Sequence, residues 1–171
     1  MNIKPFIRHV KNYPSRGILF RDITPLIYSP EIFSYILENL CKNIDNSKID
    51  VICAIDSRGF IFGAPVAHKM GIPLVLLRKK GKLPPRKFSF DYQLEYGQST
   101  LELSCNVIKK GDNIALIDDL LATGGSALAA NELISKSGGV IKIFLFVIEL
   151  LELKGREKLP LKTDIYSLVS D

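Results

Sequence analysis

The chain is short of the residues on which several kinds of site depend. Its 171 residues hold three cysteines (Cys41, Cys53, Cys105) and two histidines (His9, His68). The cysteines are odd in number and show no CxxC spacing, which argues against a disulfide framework or a zinc module. They read as reduced thiols of a cytoplasmic protein, with Cys53 inside a strand-like run. The histidines are too few and too distant to build a metal centre on. Long apolar runs are also missing: Ile143–Ile148 is cut by Glu149 and falls far short of the roughly 20 residues a membrane helix needs. The start, Met1-Asn2-Ile3-Lys4-Pro5-Phe6, lacks the apolar stretch of a secretory signal, so neither export nor a membrane partner is expected. Repeats, low-complexity segments and linkers are absent. Neither phosphate motif, G-x-x-x-x-G-K-[ST] or G-x-G-x-x-G, occurs, which argues against nucleoside-triphosphate loops and dinucleotide folds.

What is present is ordinarily globular, with 47% hydrophobic and 24% charged residues. The length suits one domain over residues 1–171 that buries most of its apolar surface. Net charge is +5, and much of it sits in one place: Arg78, Lys79, Lys80, Lys82, Arg86 and Lys87 lie within ten residues. Such a run is commonly a solvated loop. A nucleic-acid patch is disfavoured, because no RNA-binding motif or aromatic platform accompanies it.

Alternation of strand and helix signals predicts an α/β fold, with a central, mostly parallel sheet flanked by helices. Residues 5–12 read as a short helix and 14–30 as irregular. Ser29-Pro30 starts a helix carrying Ile32, Phe33, Ile36, Leu37, Leu40 and Ile44 at helical spacing. Strands are expected at 49–55, 74–77, 113–117, 140–148 and 165–169. Helices are expected at 59–70, packed tightly through Gly63 and Ala64, and at 125–137. Residues 79–88 form a loop, and 90–96 with 99–104 an antiparallel hairpin around Gly97.

The most informative segment is 114–130. Apolar Ile114-Ala115-Leu116-Ile117 ends in Asp118-Asp119, followed by Ala122-Thr123-Gly124-Gly125-Ser126 and helix formers. This is a buried strand, a carboxylate pair, a Gly-rich turn and a helix start. Open α/β sheets bind ligands beyond the carboxyl ends of their strands. A helix start with small residues offers free N–H groups to phosphate. Carboxylates beside it need another task, such as holding sugar hydroxyls or a hydrated cation. As strand-end groups they should contribute little to the core. An earlier strand ends in Asp56-Ser57-Arg58-Gly59-Phe60, which is either a helix cap or a second anion turn at the same sheet edge.

Segment 118–126 resembles the phosphoribosyl pyrophosphate signature of the type I phosphoribosyltransferases. The adenine branch of that family is resembled by further segments: Gly17–Pro25, Asp56–Phe60, Arg78–Pro84, Leu94-Glu95-Tyr96-Gly97 and Gly155-Arg156-Glu157-Lys158-Leu159. The likeness runs from about residue 5 onward. It implies transfer of a phosphoribosyl group from phosphoribosyl pyrophosphate to adenine, giving AMP and pyrophosphate, with magnesium (Mg2+) and a homodimer. The alternatives are a phosphoribosyltransferase for another base and a non-catalytic donor-binding regulator of the same fold.

Roles implied by the resemblance follow. Asp118 and Asp119 bind the ribose hydroxyls and help hold hydrated magnesium, with no direct metal ligand in the protein. Ala122, Thr123, Gly124, Gly125 and Ser126 bind the 5′-phosphate. Asp56, Ser57, Arg58 and Gly59, with Arg78, Lys79 and Lys82, hold pyrophosphate, and a cis peptide is expected at Asp56–Ser57. Leu19, Phe20, Arg21 and Leu120 bind adenine beneath a hood of residues 1–30. Glu95 and Arg58 are the catalytic candidates, Glu95 acting at adenine N7; without the motif, Glu95 would read as a cross-strand partner of a lysine. Residues 78–97 form a flexible loop and hairpin covering pyrophosphate. Pro84-Pro85, followed by Arg86-Lys87, departs from the family pattern and narrows the open loop ensemble.

Overall fold

A computed structural model describes residues 1–45, 49–93 and 97–171. The chain forms β1 (Arg8–Lys11), β2 (Leu19–Asp22), α1 (Thr24–Tyr28), α2 (Pro30–Asp45), β3 (Val51–Ile55) and α3 (Gly59–Met70). It continues through β4 (Leu74–Lys79), β5 (Lys87–Gln93), β6 (Gln98–Ser104), β7 (Asn113–Leu121), α4 (Gly125–Ser137), β8 (Val140–Glu149) and β9 (Asp164–Ser170). Seven strands form one sheet in the order β5-β6-β4-β3-β7-β8-β9, parallel from β4 to β9 and antiparallel at the hairpin edge. β1 and β2 form a separate antiparallel pair.

Central strands are covered on both faces, so they read as unbroken apolar runs; all five residues of β3 are buried. Along β7, Ala115 and Ile117 join the core under α2 and α3, while Ile114 and Leu116 join the core under α4. Each fully buried Leu, Ile or Phe in these cores contributes about 1.5–3 kcal/mol. α2 turns Ile32, Ile36, Leu40 and Ile44 inward at helical spacing. α3 lies so close to the sheet that a Cβ at Gly63 would fall 2.6 Å from the Ala54 Cβ, whereas Ala64 faces solvent. From β3 the chain crosses through α3 to β4 on one side, and from β7 through α4 to β8 on the other. That reversal leaves a crevice at the carboxyl ends of β3 and β7.

Four expectations need correction. Residues 5–12 are not a helix: a 3-10 turn at Lys4–Phe6 leads into β1, whose four residues are all exposed and are held by pairing with β2. Residues 14–30 hold β2 and α1. The strand expected to end at Ile117 runs on to Leu121, because Asp118 and Leu120 pair with Phe146 and Ile148. Similarly, Arg78 and Lys79 end β4, paired with Glu102 and Leu101, before the basic loop begins.

Asp22 fastens the β1–β2 pair to α1. Its Oδ1 accepts from the Thr24 N–H at 2.9 Å and hydroxyl at 2.6 Å, and its Oδ2 accepts from Arg8 Nε at 2.8 Å. The Thr24 hydrogen bonds, followed by the Arg8 contact, lower its carboxyl to about 2. A depressed carboxyl stabilises the fold fully above its unfolded value, ~3.9, and loses that contribution as pH falls. The Tm difference between the parent and Asp22→Asn is therefore expected to be constant above pH 5 and to shrink toward pH 2. A difference independent of pH would remove Asp22 from the acid response.

Candidate active site

β7 delivers Asp118 and Asp119 to the crevice, and the chain then turns through Ala122 and Thr123. Gly124 takes a left-handed φ of 77° and opens α4 without any side-chain cap. The first N–H groups of α4 are thus left for a ligand. They border a small cavity of about 80 Å³ with Thr123, Gly124, Gly125 and Ser126 in its wall. Gly125 is needed for space: a Cβ there would stand 2.6 Å from the Gln93 carbonyl oxygen. Ser126 Oγ lies 3.3 Å from the Tyr92 hydroxyl, which ties the cradle to the hairpin.

The two carboxylates differ. Asp118 is half-buried, and its Oδ1 accepts the Asp119 N–H at 2.9 Å. Asp119 is only 4% exposed and pairs with Arg58, Nη2 to Oδ2, at 2.7 Å. That contact is an ion pair without hydrogen-bond alignment, so Oδ2 keeps an unused acceptor position. Burial raises the Asp118 carboxyl well above its ordinary value, and the Asp119 charge adds to the rise. Burial also raises Asp119, against the pull of Arg58. Burial of Asp119 corrects the expectation that both groups stand apart from the core.

The turn after β3 lies directly alongside. Its Asp56–Ser57 peptide is cis, as expected from the resemblance. A Cβ at Gly59 would meet Asp118 Oδ1 at 2.9 Å, so the two turns touch. Asp56 is buried and accepts from Arg78 Nε at 2.9 Å and from the Lys79 N–H at 3.3 Å, with Lys82 Nζ 3.6 Å away. Burial pushes its carboxyl up, but these hydrogen bonds and charges carry it below the ordinary value. Both ends of the basic loop are held by carboxylates. Buried Glu102 accepts from the Gly81 N–H at 3.1 Å and from Lys87 Nζ at 2.9 Å. Between the turns lies a cavity of about 280 Å³ whose wall includes Ser57, Arg58, Lys79, Tyr92, Asp118 and Asp119.

Leu19, Phe20, Arg21 and Leu120 border a further cavity of about 200 Å³, closed by Leu150 and Leu153. The side chain of Arg21 is engaged elsewhere, with Nε donating to Asp171 Oδ2 at 2.8 Å and Nη1 to the Leu19 carbonyl at 2.7 Å. With the Arg21 guanidinium so engaged, Leu19, Phe20 and the β2 backbone are left to border the pocket. Arg58 stands between this cavity and the carboxylates. Its Nη1 donates to the Arg21 carbonyl at 3.2 Å, and its Cζ lies 5.3 Å from the Phe20 ring centre. Glu95, the expected acid–base group, lies outside the described residues, as do Leu94 and Tyr96. Tyr92, Glu102 and Asp171 were not singled out in the sequence. The inward alternation of Phe88, Phe90 and Tyr92 on β5 was the signal available for the first.

An uncapped helix start, a carboxylate pair and a pocket bordered by Phe20, Leu120, Leu150 and Leu153 suit a sugar phosphate that gains or loses an apolar ring, the substrate class of phosphoribosyl transfer. The family model described as phosphoribosyl transferase domain matches residues 29–170. An adenine phosphoribosyltransferase of Methanococcus maripaludis is 46% identical over 99% of this chain and 98% of its own length. The crystal structure of the enzyme of that name from Thermoanaerobacter pseudethanolicus superposes with a TM-score of 0.94 at 41% identity, covering 99% and 98% of the two chains. The Saccharomyces cerevisiae enzyme, complexed with D-2,5-dideoxy-2,5-imino-altritol 1,6-bisphosphate and adenine, gives 0.90 at 38% identity over 98% and 96%. This chain belongs to the phosphoribosyl transferase family, among its adenine phosphoribosyltransferases.

Proposed function

We propose that the chain transfers the 5-phosphoribosyl group of phosphoribosyl pyrophosphate to N9 of adenine, forming AMP and releasing pyrophosphate in purine salvage. The observation that carries this reading is the position of Arg58, which borders both the Phe20–Leu120 cavity and the cavity holding Asp118 and Asp119. A base and a ribose seated in the two would meet at one carbon. The yeast relative, which takes adenine and a bisphosphate of a sugar-like ring, supports the same division.

In this assignment Ala122 to Ser126 hold the 5′-phosphate, Asp118 and Asp119 the ribose hydroxyls, and Leu19, Phe20, Arg21 and Leu120 the base under residues 1–30. Ser57, Gly59, Arg78, Lys79 and Lys82 receive pyrophosphate, which requires Arg78 and Lys82 to exchange Asp56 for the incoming anion. The C1′–pyrophosphate bond breaks ahead of the new bond to N9, and its electron pair leaves with pyrophosphate. Catalysis is then mostly placement and electrostatics. The cationic side chains meet the leaving charge, and the carboxylates tolerate the positive ring. Glu95 governs the proton at N7. Loop closure keeps water from C1′.

Magnesium fits this edge. Asp118 and Asp119 are hard oxygen donors, and Asp119 Oδ2 is buried with an acceptor position to spare. Two carboxylates are too few for a protein cage, which suits an ion that keeps water and shares the donor's oxygens. When bound, it neutralises charge on the pyrophosphate.

A homodimer in the cytoplasm completes the proposal. Among the described residues Cys53 and Cys105 are free thiols and no helix is long and apolar enough to cross a membrane. An apolar hollow of about 470 Å³ outside Phe20, lined by Val10, Tyr13, Ile27 and Ile61, offers a face for a second copy. The deciding assay mixes protein, adenine, phosphoribosyl pyrophosphate and magnesium. AMP is expected, and Glu95→Gln is expected to lower kcat by roughly 100-fold or more while leaving donor affinity near normal. Donor binding without AMP would replace the enzyme by a regulator.

A further inference from the structure

One motif has no place in the assignment above: Gly155-Arg156-Glu157-Lys158-Leu159. Its first residue is buried against the phosphate cradle. A Cβ on Gly155 would stand 2.1 Å from the Ala122 carbonyl oxygen and 2.8 Å from the Gly124 nitrogen. The fit is reciprocal, since a Cβ on Gly124 would stand 2.4 Å from the Gly155 carbonyl oxygen. Backbone is thus laid on backbone, closer than any side chain permits. Real Cβ atoms do not approach main-chain oxygen this closely, so an added methyl must displace one of the two segments.

The segment that carries Gly155 is itself anchored. Lys154 takes a left-handed φ of 50° and starts the 3-10 turn Gly155–Lys158. Arg156 donates from Nε to Glu149 Oε1 at 2.9 Å and from Nη2 to Oε2 at 2.5 Å, with Nη1 reaching the Ile165 carbonyl at 3.0 Å. Glu149 is 4% exposed and also accepts from Ser167 Oγ at 2.7 Å. A planar fork on a buried carboxylate is a rigid mount. The buried charged side chains among the described residues are Arg21, Asp56, Glu102, Asp119 and Glu149. The first four touch the pockets or the basic loop. Only Glu149 acts at one remove, through Arg156.

We infer that Gly155 is a positioning residue for the 5′-phosphate cradle, held at its post by the Glu149–Arg156 pair. This rests on the assignment of residues 122–126 to the 5′-phosphate. The inference adds that the cradle's shape depends on a segment about 30 residues further along the chain. Gly155→Ala should push on Ala122 and Gly124 and spread the N–H groups that surround the phosphate. Arg156→Lys keeps the charge but loses the fork, and should loosen the mount without adding atoms.

The test is calorimetric binding of AMP, phosphoribosyl pyrophosphate and pyrophosphate to the full chain with magnesium, well below Tm. Gly155→Ala is expected to weaken AMP and phosphoribosyl pyrophosphate at least 10-fold and pyrophosphate less than threefold, because pyrophosphate alone does not use the cradle. Arg156→Lys is expected to weaken AMP about threefold to tenfold. A merely structural glycine would lower Tm and leave the affinities of the folded protein unchanged. Folded Gly155→Ala with AMP affinity within twofold of the parent overturns the inference. Should that variant not fold, unchanged AMP affinity in Arg156→Lys overturns it instead. Ser126→Ala separates the two levels. If it weakens AMP while Gly155→Ala does not, the buttress fails alone. If neither the parent's nor any variant's AMP affinity depends on the cradle, the 5′-phosphate assignment fails and the buttress with it.

Discussion

Replacing Asp118 and Asp119 together with asparagine should weaken phosphoribosyl pyrophosphate binding by roughly 100-fold or more, since each lost charged hydrogen bond is worth about 1.5–3 kcal/mol. The two single variants should part company in stability. Asp118 is raised by burial and by its neighbour's charge, so its ionised form burdens the free fold at neutral pH. A carboxyl raised in this way favours folding while protonated and loses that advantage as pH climbs through its folded value. Asn at 118 keeps the oxygen that accepts the Asp119 N–H. Asp118→Asn is therefore expected to gain about 1 kcal/mol, or 2–4 °C in Tm, while losing donor affinity. Asp119→Asn should gain less than Asp118→Asn or nothing, because burial raises the Asp119 carboxyl only against the pull of Arg58, which in the variant loses the anion it faces at 2.7 Å. Calorimetry with magnesium and thermal melts at pH 7 separate these effects. Unchanged donor affinity in the double variant sinks the ribose assignment, and a lower Tm for Asp118→Asn contradicts the electrostatic account.

Adenine should be preferred to hypoxanthine by about 10⁴ in kcat/KM, the discrimination open to a site that hydrogen-bonds a polar edge. Adenine offers a donor at N6 and an acceptor at N1; a 6-oxopurine reverses both. Backbone groups of β2 near Leu19 and Arg21 can read that difference only if they cannot turn to suit. Their rigidity has visible causes: β2 pairs with β1 over Leu19–Asp22, Arg21 is tied to Asp171, and Arg58 grips the Arg21 carbonyl. The wrong base would leave two buried polar contacts mispaired. Steady-state kinetics with both bases decides the matter, and comparable efficiencies refute the adenine assignment.

Local chemistry explains which parts of this site were legible in the sequence. Segment 113–137 declares itself, since a buried strand, a carboxylate pair, a Gly-rich turn and a helix occupy consecutive residues. Gly63 and the Asp56 turn were legible for the same reason. β1 was not, because its four exposed residues carry no alternation and owe their shape to a partner eleven residues on. The extension of β7 through Asp118 and Asp119 was hidden as well: aspartate is a poor strand former, and pairing with β8 overrides that preference. Contacts such as Arg156 on Glu149, or Gly155 on Ala122, join residues that only the completed fold brings together.

The halves of the crevice also differ in how far the chain must travel to close them. The carboxylates and the cradle come from one strand, one turn and one helix start, within nine residues of each other. The side assigned to the base is fastened by Arg21 and His9 on Asp171, across 150 and 162 residues. Loop closure over such a span costs more chain entropy than closure of a short turn, and non-local contacts form late. During synthesis the strand, turn and helix start assigned to the sugar phosphate are therefore all made early, but their buttress at Gly155, tied through Arg156 and Glu149 to Ile165 and Ser167, is set only when β9 arrives, just as the side assigned to the base waits for Asp171.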